Sequence, residues 1–429
     1  MKILKYSLLF IIAIALSGCG ETVTETVFDT ALPPEGTVAE ISYDASLVLG
    51  AGVTRVANIY LPPGYDAARA EGYPTVYQLH GVGGDEDSWP TGYDLAQLLD
   101  RMIDIGVLEP TIVVMPSASN AFGGGFYTNS FDHDATRNPT EIEALGFGAY
   151  EALITSILMP TIQALYNVDA TKIGIMGHSM GGYGAMKIAL LHPELFVSVA
   201  SHSGPLAFNE LINAPDSRIL KRIAAEKIAA DSTSPVINFA AAAANRASNP
   251  VTLTIFALAS SFSPHYGHIT SFDNGLLALG FDPDPTNNFQ YPLAVADTGD
   301  IWIGVDLPIV FASEGAASVQ QDIFDIWLYQ DIYTMLDNES SAYYPGFGAT
   351  QVAAFSALNI YFDTGLNDDF DPADDIVGFG IIVQHDKFEE LLLSKDINHT
   401  SATYTGAHSD GVYTRIDEAF GAFNTAIGN

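Results

Sequence analysis

Gly177-His178-Ser179-Met180-Gly181 places a serine between small residues at a spacing that lets the chain turn sharply and lift a hydroxyl clear of the backbone. Its surroundings supply the context such a turn needs. Lys172–Met176 is a β-like run leading straight into it, and Gly182-Tyr183-Gly184-Ala185-Met186-Lys187 opens a helix. Strand, tight turn and helix in that order raise the Ser179 Oγ above the carboxyl edge of a sheet at a helix N-terminus, where developing negative charge is favoured. The chemistry indicated is nucleophilic attack by serine, which requires a base to take the proton and an acid to orient the base.

Histidines and carboxylates after Ser179 supply candidates for both roles. His408 follows the β-like run Ser401–Tyr404 and precedes the last helical segment, which places it at a carboxyl strand end, where open α/β sheets bind ligands. His399 lies before the same run, up to about 30 Å away if the chain is extended, so only one of the two reaches Ser179; His408 is the expected base. The run Leu358–Phe362 leads into Asp363-Thr364-Gly365 and then Leu366-Asn367-Asp368-Asp369. Asp363 still belongs to the strand end, whereas Asp368 lies in the loop beyond it and is the expected acid, with Asp369 as the alternative. The cluster lacks the glycine and terminal glutamate of an EF-hand loop, so no metal is expected there. An oxyanion needs two backbone N–H groups. Met180, directly after the serine, supplies one, and Val82 in His80-Gly81-Val82-Gly83-Gly84 the other. His80, at a buried strand end, is expected to be a core histidine.

These residues need a sheet to hold them. Short β-rich runs at Arg55–Leu61, Thr75–Leu79, Thr111–Met115, Lys172–Met176, Phe196–Ser201 and Leu358–Phe362 alternate with helix-like segments such as Glu151–Tyr166 and Tyr183–Leu191. That alternation predicts an α/β fold with a mainly parallel central sheet and helices on both faces. Residues from about 205 to 350 exceed what one crossover needs and are expected to form an inserted lid. Arg218, Lys221, Arg222, Lys227 and Arg246 concentrate the basic residues there. They read as the wet face of an amphipathic helix or, more pointedly, as a rim for anionic substrates.

The motifs resemble the esterase D group of α/β hydrolases, which includes feruloyl and other carbohydrate esterases, S-formylglutathione hydrolases and mycolyltransferases. The resemblance runs through Tyr60–Asp66, Leu79–Trp89, Gly177–Tyr183, His192–Phe196, Ser203-Gly204, Gly365–Asp368 and Gly406-Ala407-His408. It implies the α/β-hydrolase fold, a triad of Ser179, Asp368 and His408, an oxyanion hole of Val82 and Met180, and hydrolysis of carboxylic esters without a cofactor. Aryl, acetyl or feruloyl esters of polysaccharides are the expected substrates. The same triad also serves an acyltransferase, and the fold alone a glycan-binding surface protein. The long insertion departs from the family's compact form, so no subgroup's specificity carries over.

The chain has 429 residues, is 48% hydrophobic and carries a formal charge of −35, enough apolar material for a substantial core and a charge that repels nucleic acid. Lys2, Lys5 and the apolar run Leu8–Leu16 read as an export signal. Leu16-Ser17-Gly18-Cys19 resembles the lipobox of bacterial lipoproteins, with Cys19, the only cysteine, as the lipid-bearing residue. Residues 1–19 are therefore expected to be the signal and lipobox cysteine, residues 20–40 a flexible tether, and residues 41–429 the catalytic domain of a membrane-anchored lipoprotein at the cell envelope.

Overall fold

A computed structural model describes residues 34–50, 52–120, 122–130, 148–212, 218–230, 248–268, 289–290, 301–311, 317–341, 344, 346–368 and 380–428. Cys19, the expected signal, Asp369 and Arg246 lie outside them. Eight strands make the main sheet: β1 (Thr37–Asp44), β2 (Thr54–Leu61), β3 (Tyr73–Leu79), β4 (Ile112–Pro116), β5 (Val168–His178), β6 (Ser198–His202), β7 (Asn359–Gly365) and β8 (Thr400–Tyr404). Their spatial order is β1-β2-β4-β3-β5-β6-β7-β8. The first two strands run antiparallel to their neighbours and all later pairs are parallel. Every residue of β3 and β4 is buried, as expected for apolar runs covered on both faces.

The first strand falls partly inside the expected tether. Thr37–Asp44 pairs with β2 along its whole length, so residues 37–40 belong to the sheet. Most of β1 is exposed: an edge strand with little to bury lacks the apolar alternation by which strands are recognised.

Helices cover both faces. α1 (Leu95–Asp104) and, near the C-terminus, Val412–Ala426 pack on one side through Leu98, Leu99, Met102, Ile416, Phe420 and Phe423. The other side carries α2 (Met180–Leu191), Ile381–Ser394 and the described parts of the insertion, which share one apolar cluster. The insertion contributes α3 (Arg218–Ala230) and α4 (Pro250–Phe262). In α3, Ile219 and Ile223 are buried while Lys221 is exposed, the pattern of an amphipathic surface helix. The two C-terminal helices are α5 (Ile381–Ser394) and α6 (Val412–Ala426).

A buried polar network pins the insertion to α2. Lys187, wholly inaccessible to solvent, donates from Nζ to Thr128 Oγ1 and to Gln330 Oε1. Tyr183 OH donates to the Gln330 carbonyl at 2.7 Å, and Tyr344 OH donates to Glu151 at 2.9 Å. His192 Nε2 meets the other Glu151 oxygen at 3.0 Å. Burial pushes the Lys187 amine down to about 7, with Glu151 pulling the other way. Gln330 and Tyr344 come from the insertion, and Gln330 joins Thr128, outside it, in supplying the acceptors that make burying Lys187 tolerable.

Candidate active site

Ser179 sits in the turn between β5 and α2 at φ 57° and ψ −117°, a conformation that a residue with a side chain holds only when its neighbours impose it. Its N–H donates to the His202 carbonyl at the end of β6 at 2.8 Å, and its own carbonyl accepts from Tyr183 N–H at 3.0 Å. Close packing does the rest. A Cβ on Gly181 would lie 2.3 Å from the Leu79 carbonyl oxygen, and one on Gly177 would lie 2.5 Å from the Gly181 carbonyl carbon. Only glycine fits at either position, which is the physical content of the pentapeptide.

The residues expected to assist Ser179 arrive on two loops that are stitched together. Leu366 N–H donates to the Tyr404 carbonyl at 2.8 Å and Asn367 N–H to the Gly406 carbonyl at 2.9 Å. The second loop is closed on itself by Ala407 N–H donating to Asp410 Oδ2 at 2.9 Å and Tyr404 OH donating to the Ala407 carbonyl at 2.9 Å. So held, His408 places Nε2 2.8 Å from Ser179 Oγ and Nδ1 2.8 Å from Asp368 Oδ2. Thr364 Oγ1 donates to the same Asp368 oxygen at 3.4 Å, and the Asp368 side chain is fully buried. With the carboxylate as acceptor, Nδ1 carries the proton and Nε2 is left to accept from the serine.

The structure gives neither Val82 N–H nor Met180 N–H an acceptor among the described residues. Met180 opens α2, where the first amides lack helical partners. Val82 lies on the loop after β3, and that loop is anchored through His80: Nδ1 donates to the Gly81 carbonyl at 2.8 Å and Nε2 accepts from Ala118 N–H at 2.9 Å. Both ring nitrogens are engaged in the neutral form, and burial pushes the imidazole down to about 4.

Two neighbours went unmarked in the sequence. His178 Nε2 donates to the His408 carbonyl at 3.0 Å, and the two rings lie 5.1 Å apart. Burial, reinforced by the nearby His408, drives His178 far below the ordinary histidine range, so it acts as a neutral donor to the main chain of His408. Behind the turn, Asp363 on β7 meets His202 Nδ1 at 2.8 Å, Tyr361 OH at 3.1 Å and the Arg415 guanidinium. Burial alone would raise the Asp363 carboxyl, yet His202, Arg415 and Tyr361 hold it below its usual value. This second histidine–carboxylate pair is enclosed and braces the strand ends that support Ser179. His399 bonds the Ile397 carbonyl at 2.8 Å. His385, Asp386 and Glu389 approach one another on α5, where Nδ1 of His385 is already bonded to Asp386 at 3.2 Å.

Ser179 and His408 open into a cleft of about 580 Å³ that extends from the His80–Gly84 loop to the insertion, where Leu211, Ile219, Leu253 and Leu258 line it. The family model described as "Putative esterase" matches residues 52–415. The chain belongs to this esterase family. Among its relatives, an endo-1,4-beta-xylanase/feruloyl esterase of Xylanibacter ruminicola is 33% identical over 38% of this chain and 21% of its own length. A feruloyl esterase B of Neurospora crassa is 30% identical over 30% of this chain and 38% of its own length. Mouse S-formylglutathione hydrolase is 29% identical over 33% of this chain and 49% of its own length. The chain thus spans less than half the length of each of these three relatives. Two solved structures share the fold. A ferulic acid esterase superposes with a TM-score of 0.51 at 12% identity, covering 91% of this chain and 99% of its own. An S-formylglutathione hydrolase from Agrobacterium tumefaciens superposes with a TM-score of 0.50 at 16% identity, covering 93% and 98%. The α/β-hydrolase fold expected from the motifs is the fold observed.

Proposed function

We propose that the protein is an exported serine carboxylic-ester hydrolase, anchored by lipid at Cys19, that acts on aryl, acetyl or feruloyl esters of polysaccharides. The observation that carries the reading is the unbroken chain of hydrogen bonds from Ser179 Oγ through His408 to Asp368, at 2.8 Å and 2.8 Å, at the floor of an open cleft. His408 Nε2 takes the proton of Ser179 as Oγ attacks the ester carbonyl, and the Val82 and Met180 amides receive the oxyanion, a contact worth about 10²–10³ in rate per donor. Collapse of the tetrahedral intermediate passes that proton to the departing alcohol. Water then enters, gives a proton to His408, and attacks the acyl-enzyme; the second collapse returns the proton to Ser179. Asp368 holds the imidazole in the tautomer that accepts from serine and stabilises its charged form.

The polysaccharide substrates rest on the feruloyl esterases among the relatives, and the export and anchoring rest on the N-terminal sequence. Purified Ser179→Ala protein tests the chemistry. Hydrolysis of p-nitrophenyl butyrate should disappear in the variant, and activity persisting unchanged would sink the mechanism.

A further inference from the structure

The walls of the cleft differ in chemistry. Loops at the strand ends present Ser88, Tyr93, Ser409 and Asp410, with hydroxyls and a carboxylate, beside Val82 and Trp89. The insertion presents Leu211, Ile219, Leu253 and Leu258, with the hydroxyl of Thr254 among them. No lysine or arginine is among the described lining residues. Of the basic side chains described on α3, Lys221 is exposed, and Arg222 Nε is 3.3 Å from Glu226.

This apolar wall is built in advance. The buried Glu226 carboxylate on α3 caps α4, accepting from Thr252 N–H at 2.8 Å, Thr252 Oγ1 at 2.6 Å and Val251 N–H at 3.3 Å. Farther along α4, Phe256 stacks on Phe122 at 5.9 Å, and Phe262 packs against Phe126 at 5.8 Å. Trp327 Nε1 donates to Ser263 Oγ just past the end of the helix at 2.8 Å. A wall fixed at both ends cannot collapse around a small group, so it rewards a ligand that fills it. An ionised group against it would lose its hydration and, among the described residues of the wall, meet only the Thr254 hydroxyl.

Resting on the reading of Ser179 as nucleophile, we infer that the insertion wall takes an uncharged apolar arm of the ester, alkyl or aryl, and selects it by size, while the hydroxyl-bearing loops take an uncharged, hydroxylated arm. Esters whose arms carry carboxylates are excluded, both by the wall and by Asp410 at the mouth.

The test measures kcat/KM for p-nitrophenyl acetate, butyrate, hexanoate and octanoate, for alkyl acetates from ethyl to hexyl, and for p-nitrophenyl hemiadipate beside the hexanoate. Ser179→Ala is the blank for every ester. One of the two chain series should rise about fourfold per added methylene until the wall is covered, and the hemiadipate should fall at least about tenfold below the hexanoate. Leu253→Phe should lower the hexanoate-to-acetate ratio about tenfold, with Leu211→Phe as the second variant and circular dichroism confirming the fold of each. Flat profiles in both series, a hemiadipate rate equal to that of the hexanoate, or an unchanged ratio in a folded variant would overturn the inference while leaving Ser179 chemistry intact. Turnover unaffected by Ser179→Ala would take down the nucleophile and this inference together.

Discussion

Lys187→Met should stabilise the protein near neutral pH and remove most of one component of its pH dependence. The amine is held at about 7 in the fold against an ordinary value of 10.5, chiefly because burial disfavours its charged form. Between those values the unfolded chain binds a proton at this lysine that the folded chain does not, so stability rises with pH across the window and is flat with respect to this group below it. At about 1.36 kcal/mol per pH unit, the full gap amounts to about 5 kcal/mol, and the part between pH 7 and pH 9.5 to about 3 kcal/mol. Urea unfolding at those two pH values, with midpoint and slope recorded for both proteins, isolates the lysine by subtraction. The wild type should gain about 3 kcal/mol more than Lys187→Met on going from pH 7 to pH 9.5. The opposite sign, with Lys187→Met less stable at pH 7 and the wild type losing stability as pH rises, would mean that Glu151 keeps the lysine charged, and the account of the network would be wrong.

Asp368→Asn should leave the fold intact and lower kcat about 10³–10⁴-fold, since an amide presents the wrong partner to His408 Nδ1; a loss under tenfold on p-nitrophenyl butyrate would remove Asp368 from its role. His178→Phe keeps a ring beside His408 but deletes the donor to its carbonyl, at a cost of about 1–3 kcal/mol. Kcat should fall about tenfold with KM little changed, and His178→Gln should recover part of the loss; a phenylalanine variant within twofold of wild type would show that the His408 main chain needs no such brace. Cys19→Ala should shift the protein from the membrane pellet to the soluble fraction and abolish incorporation of labelled palmitate, and a wild type that never sediments with membranes would refute the anchor.

Much of the site was readable because its demands are local. The turn at Ser179 needs glycines within two residues on either side, and strand, turn and helix announce themselves in sequence order. Asp368 was separable from Asp363 because one lies in a loop and the other inside a strand that ends at Gly365. The partnership between Asp363 and His202 was hidden, since parallel register alone makes these distant residues neighbours. His178 was hidden for a related reason: its bond is to a backbone carbonyl 230 residues away, and backbone groups carry no sequence signature. In the insertion, the amphipathic pattern of α3 was visible and explains why Ile219 faces inward and Lys221 outward, but the capping of α4 by Glu226 joins residues 25 and 26 apart, which no local pattern encodes.

The insertion also separates the reacting groups in time. Ser179 precedes it, whereas Asp368 and His408 follow it on the loops after strands β7 and β8, the last strands of the sheet in chain order. A chain emerging from its N-terminus can form the serine turn early, yet His408 reaches Oγ only after β8 has docked on β7 and the two loops have closed on each other. Until then the serine has no base. If exported as proposed, the chain travels with its chemistry switched off, and acquires it with its final strand.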